Sequence, residues 1–376
     1  ITKGKKPNLS DAKTPTRYIQ IDDLRNDDLI KYTADDVGTF VGEGDVIIAW
    51  DGANAGTVGY GLNGLIGSTL ARLTIINIEV NAEYLARFLQ SKFKEIRGNC
   101  TGATIPHVSK PHLLSLEIPL PPLDEQKRIA AILDKADSLR RKRKEAIDLA
   151  DEFLGAVFLD MFGDSAGQGW ELVTVEDLAA PVRGSMRTGP FGSDLKHAEF
   201  VEKGISVLGI DNAVKNKFDW GKDRFISHEK YEQLKRYTVK PGDVIITIMG
   251  TCGRCAVVPE DIPIAINTKH LCCITLDQSK CLPSFMHAYF LKHPVARKYL
   301  SQTAKGAVMD GLNMGIIKSL PIPLVPMDLQ KKYESICKQL SKLDKNNLEA
   351  ESYLNDCFSS LSQKAFKGEL SQKNVA

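Results

Sequence analysis

The chain lacks most of the features that would mark it as a catalyst or a membrane protein. None of its apolar runs, in 376 residues, approaches the ~20 residues that a membrane-spanning helix requires. Nothing at the start reads as a signal peptide. The sequence contains no Walker-type phosphate loop, no HExxH and no GxSxG, so ATP-driven, zinc-peptidase and serine-hydrolase chemistry has no motif to rest on. Also missing is an Asn-Pro-Pro-aromatic or Asp-Pro-Pro-aromatic stretch of the kind aminomethyltransferases use. An excess of charge of one sign is absent too: 49 Lys and Arg stand against 47 Asp and Glu, a net charge of +2. Any nucleic-acid binding must therefore come from local basic patches. Cysteine is scarce in the first half, where Cys100 is alone among the eight. A shared disulfide framework is thus not expected, and a reducing, cytoplasmic location fits better.

What is present is a repeat. GDVII occurs at Gly44–Ile48 and again at Gly242–Ile246, followed both times by a glycine-rich turn. A longer match joins TGATIPHVSKPHLLSLEIPLPPLDEQKRI (101–129) to KGAVMDGLNMGIIKSLPIPLVPMDLQKKY (305–333). Gly102, Leu116, Pro122, Asp124 and Gln126 fall on Gly306, Leu320, Pro326, Asp328 and Gln330 without a gap. Two copies about two hundred residues apart mean two whole domains rather than a solenoid. The chain opens on Ile1 rather than Met, so the front of the first repeat is expected to be trimmed.

Each copy runs in the same order. A β-rich, glycine-rich region comes first, with β-branched runs between Gly, Asn and Asp turns. A short helix follows, Asn81–Phe93 or Leu282–Pro294. Then comes a proline-rich hinge, IPLPPL or IPLVPM, which favours extended backbone. A long helix closes the copy, with Asp124 or Asp328 placed to cap it. A heptad seam lies through Ile129, Ile132, Ala136, Leu139, Arg143 and Ala146. The second helix repeats it as Tyr333, Ile336, Leu340, Leu343, Asn347 and Ala350. This is a coiled-coil pattern, and about 38 residues make each helix ~57 Å long. The polar Arg143 and Asn347 fall at equivalent points, where a polar seam residue sets register. An antiparallel pair with these two near its centre is expected.

The CGRC at Cys252–Cys255, near His270, Cys272, Cys273 and Cys281, invites a zinc reading. The second cluster is poorly spaced for it and the first copy has no cysteine there, so buried free thiols are the expectation and no metal is assigned. His107 lies opposite Gly311, so a shared catalytic histidine is not expected. No catalytic residue is assigned.

The hinge and helix IPLPPLDEQKRIAAILDKADSLRRKRKEAIDLADEFLGAVFLDMFGD, placed after a β-rich domain and repeated once, resembles the specificity subunit of type I restriction-modification systems. RGSMRTGPFGSDLK and KPGDVIITIMGTCGR resemble the start and middle of a target-recognition domain of that family. The first copy departs at its start and in its GANAG turn, and the second hinge reads IPLVPMDLQ. The resemblance implies an α+β fold: two similar β-rich target-recognition domains separated by a pair of long antiparallel coiled-coil helices, a pseudo-twofold internal repeat. The implied bounds are 1–121 and 164–325 for the recognition domains and 122–163 and 326–376 for the helices. It implies a non-catalytic subunit that binds a bipartite, asymmetric site on double-stranded DNA. The partners implied are two modification methyltransferase subunits, which hold the S-adenosylmethionine, and restriction subunits. No cofactor is expected in this chain and no membrane contact.

Within each domain, base reading is expected from loops that carry polar and basic side chains at glycine turns, where backbone approaches DNA closely. The candidates are Lys5, Lys6, Trp50, Asn54, His107 and Lys110 in the first domain. In the second they are Arg183, Arg187, Lys196, Thr251, Arg254, Lys269 and His270. The run RRKRK at Arg140–Lys144 is a further basic patch: contact with spacer phosphates is one reading, but a solvated or partner-facing helix side is the expectation, because the second helix has KLDKNN there. An adaptor of two β-rich modules that binds protein only is the competing class, which a gel shift on duplex DNA separates. A methyltransferase fragment is disfavoured by the missing motifs.

Overall fold

The structure, a computed structural model, describes residues 1–6, 16–26, 29–34, 37–102, 104–164, 167–304 and 311–370, with backbone alone for Ala304 and for residues 343–352. It divides into two compact units, Ile1–Glu145 with Asn347–Ala376, and Ala146–Asn346. Each unit thus holds one β-rich domain and part of each long helix.

In the first unit the strands are β1 (Thr2–Lys3), β2 (Thr16–Ile19), β3 (Lys31–Thr33), β4 (Phe40–Val41), β5 (Val46–Ala49), β6 (Val58–Tyr60), β7 (Gly64–Ile66) and β8 (Leu70–Leu73). They form two sheets, ordered β1-β8-β5-β6 and β3-β2-β7-β4. Helices α1 (Ala82–Ser91), α2 (Phe93–Gly98) and α3 (Lys110–Ser115) follow, then the long α4 (Leu123–Phe162). The second unit opens with β9 (Leu172–Thr174), β10 (Met186–Thr188), β11 (Phe200–Val201), β12 (Ile205–Leu208) and β13 (Phe225–Ile226). After α5 (His228–Leu234) come β14 (Val244–Thr247), β15 (Cys255–Val257), β16 (Ala265–Asn267) and β17 (Leu271–Ile274). It ends with α6 (Pro283–Lys292), α7 (Pro294–Ala304), α8 (Met314–Lys318), β18 (Pro321–Pro323) and α9 (Met327–Phe366). Its sheets are ordered β10-β17-β14-β15 and β11-β13-β12-β16, with β18 paired to β9. The plan repeats: β5 lies between β8 and β6 as β14 lies between β17 and β15, and β2 runs parallel to β7 as β12 does to β16.

The repeated GDVII forms the central strand of each domain. Side chains alternate across a strand, and here both faces are covered. Val46 and Ile48 enter one core while Ile47 and Ala49 enter another. In the second copy Val244 and Ile246 enter one core and Ile245 the other. Each such buried Val or Ile contributes about 1.5–3 kcal/mol, so neither face of the strand tolerates a polar residue. The aspartate closes the same turn twice: Asp45 Oδ2 accepts from Gly42 N at 3.0 Å, and Asp243 Oδ2 from Lys240 N at 2.8 Å.

The same glutamine lock fastens the hinge in both units. Buried Gln126 accepts from Asn81 N at 2.9 Å and donates to the carbonyls of Glu79 and Pro121, each at 2.8 Å. Buried Gln330 accepts from Leu282 N at 2.8 Å and donates to Lys280 O at 2.9 Å and Val325 O at 2.8 Å. Tyr84 donates to Pro119 O, and Tyr289 to Pro321 O. In the first unit Phe366, near the end of the chain, packs on Tyr84 and Phe88 at 5.4 and 5.3 Å. In the second, its counterpart Phe162 packs on Phe285 and Tyr333 at 5.1 and 5.8 Å. In both units the start of one long helix therefore lies against the end of the other, which makes the pair antiparallel.

The seam is narrower than its heptads suggest. Ile129 and Tyr333 are buried, and Ile132, Ala136, Arg143, Ile336 and Leu340 are half-buried, but Leu139 and Ala146 are exposed. The buried stripe of α4 instead includes Gln126, Ala130, Leu133 and Asp137. The reason is that this face of α4 is shared: Ile129, Ala130 and Leu133 pack both on Tyr84 of α1 and on Ala365, Phe358, Leu361 and Phe366 near the end of α9. Leu343, Asn347 and Ala350 lie outside the described side chains, and so does the expected meeting of Arg143 with Asn347. Asp124 and Asp328 are the second residues of their helices, two past the cap position they were expected to fill, where they still favour the positive end of the helix dipole.

Candidate nucleic-acid interface

In both domains the glycine turn leaves one end of the central sheet. Thr247, the last residue of β14, pairs with Leu271, the first of β17, and Thr188, the last of β10, pairs with Cys272. The turn 248–254, the segment 268–270 and the loop after Thr188 thus share an edge. In the first domain Ala49 pairs with Leu70 and Lys3 with Ala71, so the turn 50–57 and the segment Gly4–Lys6 share the corresponding edge. Two glycines permit the crossing. A Cβ on Gly4 would lie 2.2 Å from Gly67 O, and one on Gly189 2.0 Å from Asn267 O.

In the second domain the turn is held from inside. The buried Thr247 hydroxyl donates to Thr251 O at 2.5 Å and accepts from Arg254 N at 2.9 Å. Gly250 and Gly253 take left-handed φ of 69° and 78°, which a side chain would strain. The backbone around Thr251 and Arg254 is thereby fixed while both side chains stay exposed. Ile248 N donates to His270 O at 2.9 Å, which brings Lys269 and His270 beside the turn. Partial burial lowers the His270 pKa, and the positive charges of Lys269 and Arg224 lower it further.

In the first domain the turn is held by charge. Asp51 accepts from Lys3 Nζ at 2.8 Å and lies 2.6 Å from His107 Nδ1. Burial raises the Asp51 pKa, but the bonds from Lys3 and His107 outweigh this and hold it below its ordinary value. Asn54 accepts from Arg25 at 2.8 Å. Lys5, Lys6, His107 and Lys110 are exposed. Trp50 is buried to 9% exposure in the domain core, so it supports the turn and has no free face for a base.

Arg187 departs from the expectation. It is 8% exposed. It donates to Asp243 Oδ2 and Thr238 O, each at 2.6 Å, and to Thr275 Oγ1 at 3.0 Å. Its charge is spent inside the fold, where a buried Asp243 requires it. Arg183 is exposed but precedes β10, at the sheet end opposite the glycine turn. Lys196 is exposed on the loop after β10. The structure thus gathers Thr251, Arg254, Lys269 and His270, and separately Lys5, Lys6, Asn54 and His107. Sequence reasoning missed Arg25, Lys3 and Arg224, because only the fold brings them to the turns. Cys255, Cys272, Cys273 and Cys281 are all core residues, and burial pushes the thiols of Cys272 and Cys281 up to about 12. Among the described residues no group of three or more His, Cys, Asp or Glu is placed to hold a metal ion, and no helix is long and apolar enough to cross a membrane.

A family model described as the type I restriction modification DNA specificity domain matches residues 1–149 and 168–355. The type I restriction enzyme MjaVIII specificity subunit of Methanocaldococcus jannaschii is 25% identical, over 91% of this chain and 83% of its own. The EcoBI specificity subunit of Escherichia coli is 24% identical, over 98% and 84%. The crystal structure of the type I restriction-modification S subunit from M. genitalium superposes with a TM-score of 0.61 at 17% identity, covering 97% of this chain and 92% of that one.

Proposed function

The chain belongs to the type I restriction-modification DNA specificity family, and from that premise we propose that it is the sequence-reading subunit of such a complex. Each β-rich domain reads one half of a bipartite, asymmetric site on double-stranded DNA. Helices α4 and α9 set the gap between the halves and dock two modification methyltransferase subunits, which hold the S-adenosylmethionine. Restriction subunits join through that assembly, and the chain itself supplies no catalytic group.

The observation that carries this reading is one scaffold with two different edges. The central strands, turns and hinge locks coincide, yet the corresponding turns carry Asn54 and His107 in one domain and Thr251, Arg254 and His270 in the other. Shared packing with different polar side chains at the edge is what two half-sites of different sequence require, since bases are told apart by the donor and acceptor pattern in the groove. Arg254 is the sharpest case. Arg254→Ala is expected to weaken one half-site by about 1–3 kcal/mol if the guanidinium makes a bidentate base contact. Mapping methylated adenines with the parent and variant complexes tests it, and unchanged selectivity would remove Arg254 from the reading set.

A further inference from the structure

The run Arg140–Lys144 was expected to be a solvated or partner-facing side of its helix. Of this run, Arg140 and Arg141 line a cleft of about 750 Å³ in the first unit, where Arg141 stays solvated. Its other walls are the segment 23–26, the strand region 56–60 beyond the glycine turn, Arg87 and Gln90 of α1, and Phe358 of α9.

The charges in this cleft do not cancel. Arg87 is buried and bonds Asp134 at 2.6 Å and Asp137 at 3.1 Å. Arg140 bonds the same Asp137 at 2.6 Å and stacks on the Phe358 ring at 4.8 Å. Arg141 reaches Asp137 only at 3.6 Å and its side chain is 61% exposed. Three guanidinium groups therefore share two carboxylates, and the other carboxylate that lines the cleft, Asp23, is taken by Arg17 at 2.9 Å. Arg25 adds a fourth positive charge, and its hydrogen-bond partners, Asn54 Oδ1 at 2.8 Å and Thr57 Oγ1 at 3.5 Å, are neutral. Among the described residues Arg25 has no carboxylate partner. The Arg25–Asn54 bond makes this uncompensated charge continuous with the reading turn.

We propose that the cleft is a phosphate-binding site, in which Arg25 and Arg141 take backbone phosphates of the DNA beside the first half-site, on its gap side. Guanidinium groups suit phosphate oxygens through paired N–H donors, and contacts to phosphates position a protein on DNA without reading sequence. This rests on the DNA-reading function proposed above. It differs from base reading in its signature, because each phosphate contact adds about 0.9 to the slope of log affinity against log salt.

The test uses the chain assembled with its methyltransferase subunits and a duplex carrying the methylated site. Arg25→Gln with Arg141→Gln is expected to lower the salt slope by about 2 on cognate and mismatched duplexes alike. Arg141→Gln alone, at an exposed position, is expected to lower it by about 1 and serves if the double variant misfolds. An unchanged slope in a folded Arg141→Gln complex overturns the proposal while leaving the DNA-reading function standing. So does loss of methyltransferase assembly at unchanged slope, which would make the cleft a protein contact. Failure of the parent complex to bind the duplex would overturn both.

Discussion

In the first unit, α4 meets its β-rich domain through a buried charge network beside the apolar contact of Ile129, Ala130 and Leu133 with Tyr84. Arg87 reaches from α1 to Asp134 and Asp137 on α4, and the Tyr60 hydroxyl donates to the same Asp134. In the second unit the end of the same helix sits among rings. Phe158 and Phe162 pack on Phe285 and Tyr333, and His293 lies edge-on to Phe158. His293 also caps the helix. Its Nδ1 accepts from Val295 N, so its Nε2 carries the proton and donates to Phe162 O at 3.1 Å. The domain plan and the glutamine locks are common to both units, but the fastening differs. A buried charge network fixes orientation with little net gain in stability, since desolvation offsets the attraction. A ring cluster stabilises through buried area and ring contacts. The first attachment is thus the more specific in geometry and the second the stronger.

The largest expected effect comes from breaking the ring cluster. Phe162→Ala is expected to cost the second unit about 3–5 kcal/mol, the usual cost of emptying a packed aromatic site, measured by denaturant unfolding. A cost near that of an exposed residue would contradict the assignment of this cluster as the main fastening. Arg87→Met should cost less, about 2–3 kcal/mol, below the 3–5 of a wholly stranded charge. Asp137 keeps Arg140, and Asp134 is partly open to water. If Arg87→Met proves the more damaging of the two, the contrast between the attachments is reversed.

The glutamine locks test what is common. Gln126→Leu and Gln330→Leu each strand one amide and two carbonyls, at about 1–3 kcal/mol per group left buried without a partner. The two variants are expected to lose similar amounts, whatever surrounds them. Unequal losses would mean that the hinges are alike in sequence but not in energy.

Acid should separate the units again, by a smaller margin. His270, His287 and His293 of the second unit all have pKa values lowered, first of all by burial. A histidine whose folded pKa is depressed is stabilising above its unfolded value of about 6.5, and that stability is lost as pH falls through its folded pKa. In the first unit Asp51 is depressed, so its contribution persists until pH falls below the unfolded carboxylate value of about 4. Unfolding monitored through Trp170, in the second unit, and Trp50, in the first, is expected to show the second unit weakening first as pH falls below about 6.5. Coincident loss, or earlier loss at Trp50, would contradict this.

The repeat was the most legible feature of the sequence. GDVII and the IPLPPLDEQ hinge are short-range patterns, and each is imposed by burial on both faces or by a turn, so its residues appear in order. The helices α1, α6, α4 and α9 were legible from apolar spacing for the same reason. The seam was only half legible, because a heptad shows that a face is apolar but not which neighbour covers it, and α4 shares its buried face between α1 and the end of α9. Site residues were less legible still. Arg187 looked like an exposed arginine near glycines, and nothing within twenty residues of it announces the buried Asp243 that binds it. Arg25 was invisible because its partners Asn54 and Thr57 reach it only after the sheets form.

The least costly change is one that leaves both fastenings untouched and alters only the length of helix between them. Phe162 is a core residue and the half-buried Phe366 packs against the core, so the ends of α4 and α9 have no room for an insert, and added residues belong mid-helix. The helices are antiparallel, so lengthening one alone would shift its partner out of register, and both must grow together. A single heptad in each adds about 10.5 Å, near three base pairs of rise, but three base pairs also turn the half-site roughly 100° around a duplex of ~10.5 base pairs per turn. Three heptads in each, after Lys144 and after Leu348, add about 31 Å, close to one full turn of DNA, and leave both half-sites on one face. The helical drift of ~20° per heptad is small enough for domain and DNA to absorb. We expect the gap in the methylated site to lengthen by about nine or ten base pairs, with both half-sites and the unfolding energies of both units close to the parent. Genome-wide mapping of methylated adenines reads the gap, and circular dichroism checks that the inserts are helical. An unchanged gap in an active, helical variant would show that α4 and α9 do not set the spacing. Changed half-sites would show instead that the helices take part in reading bases.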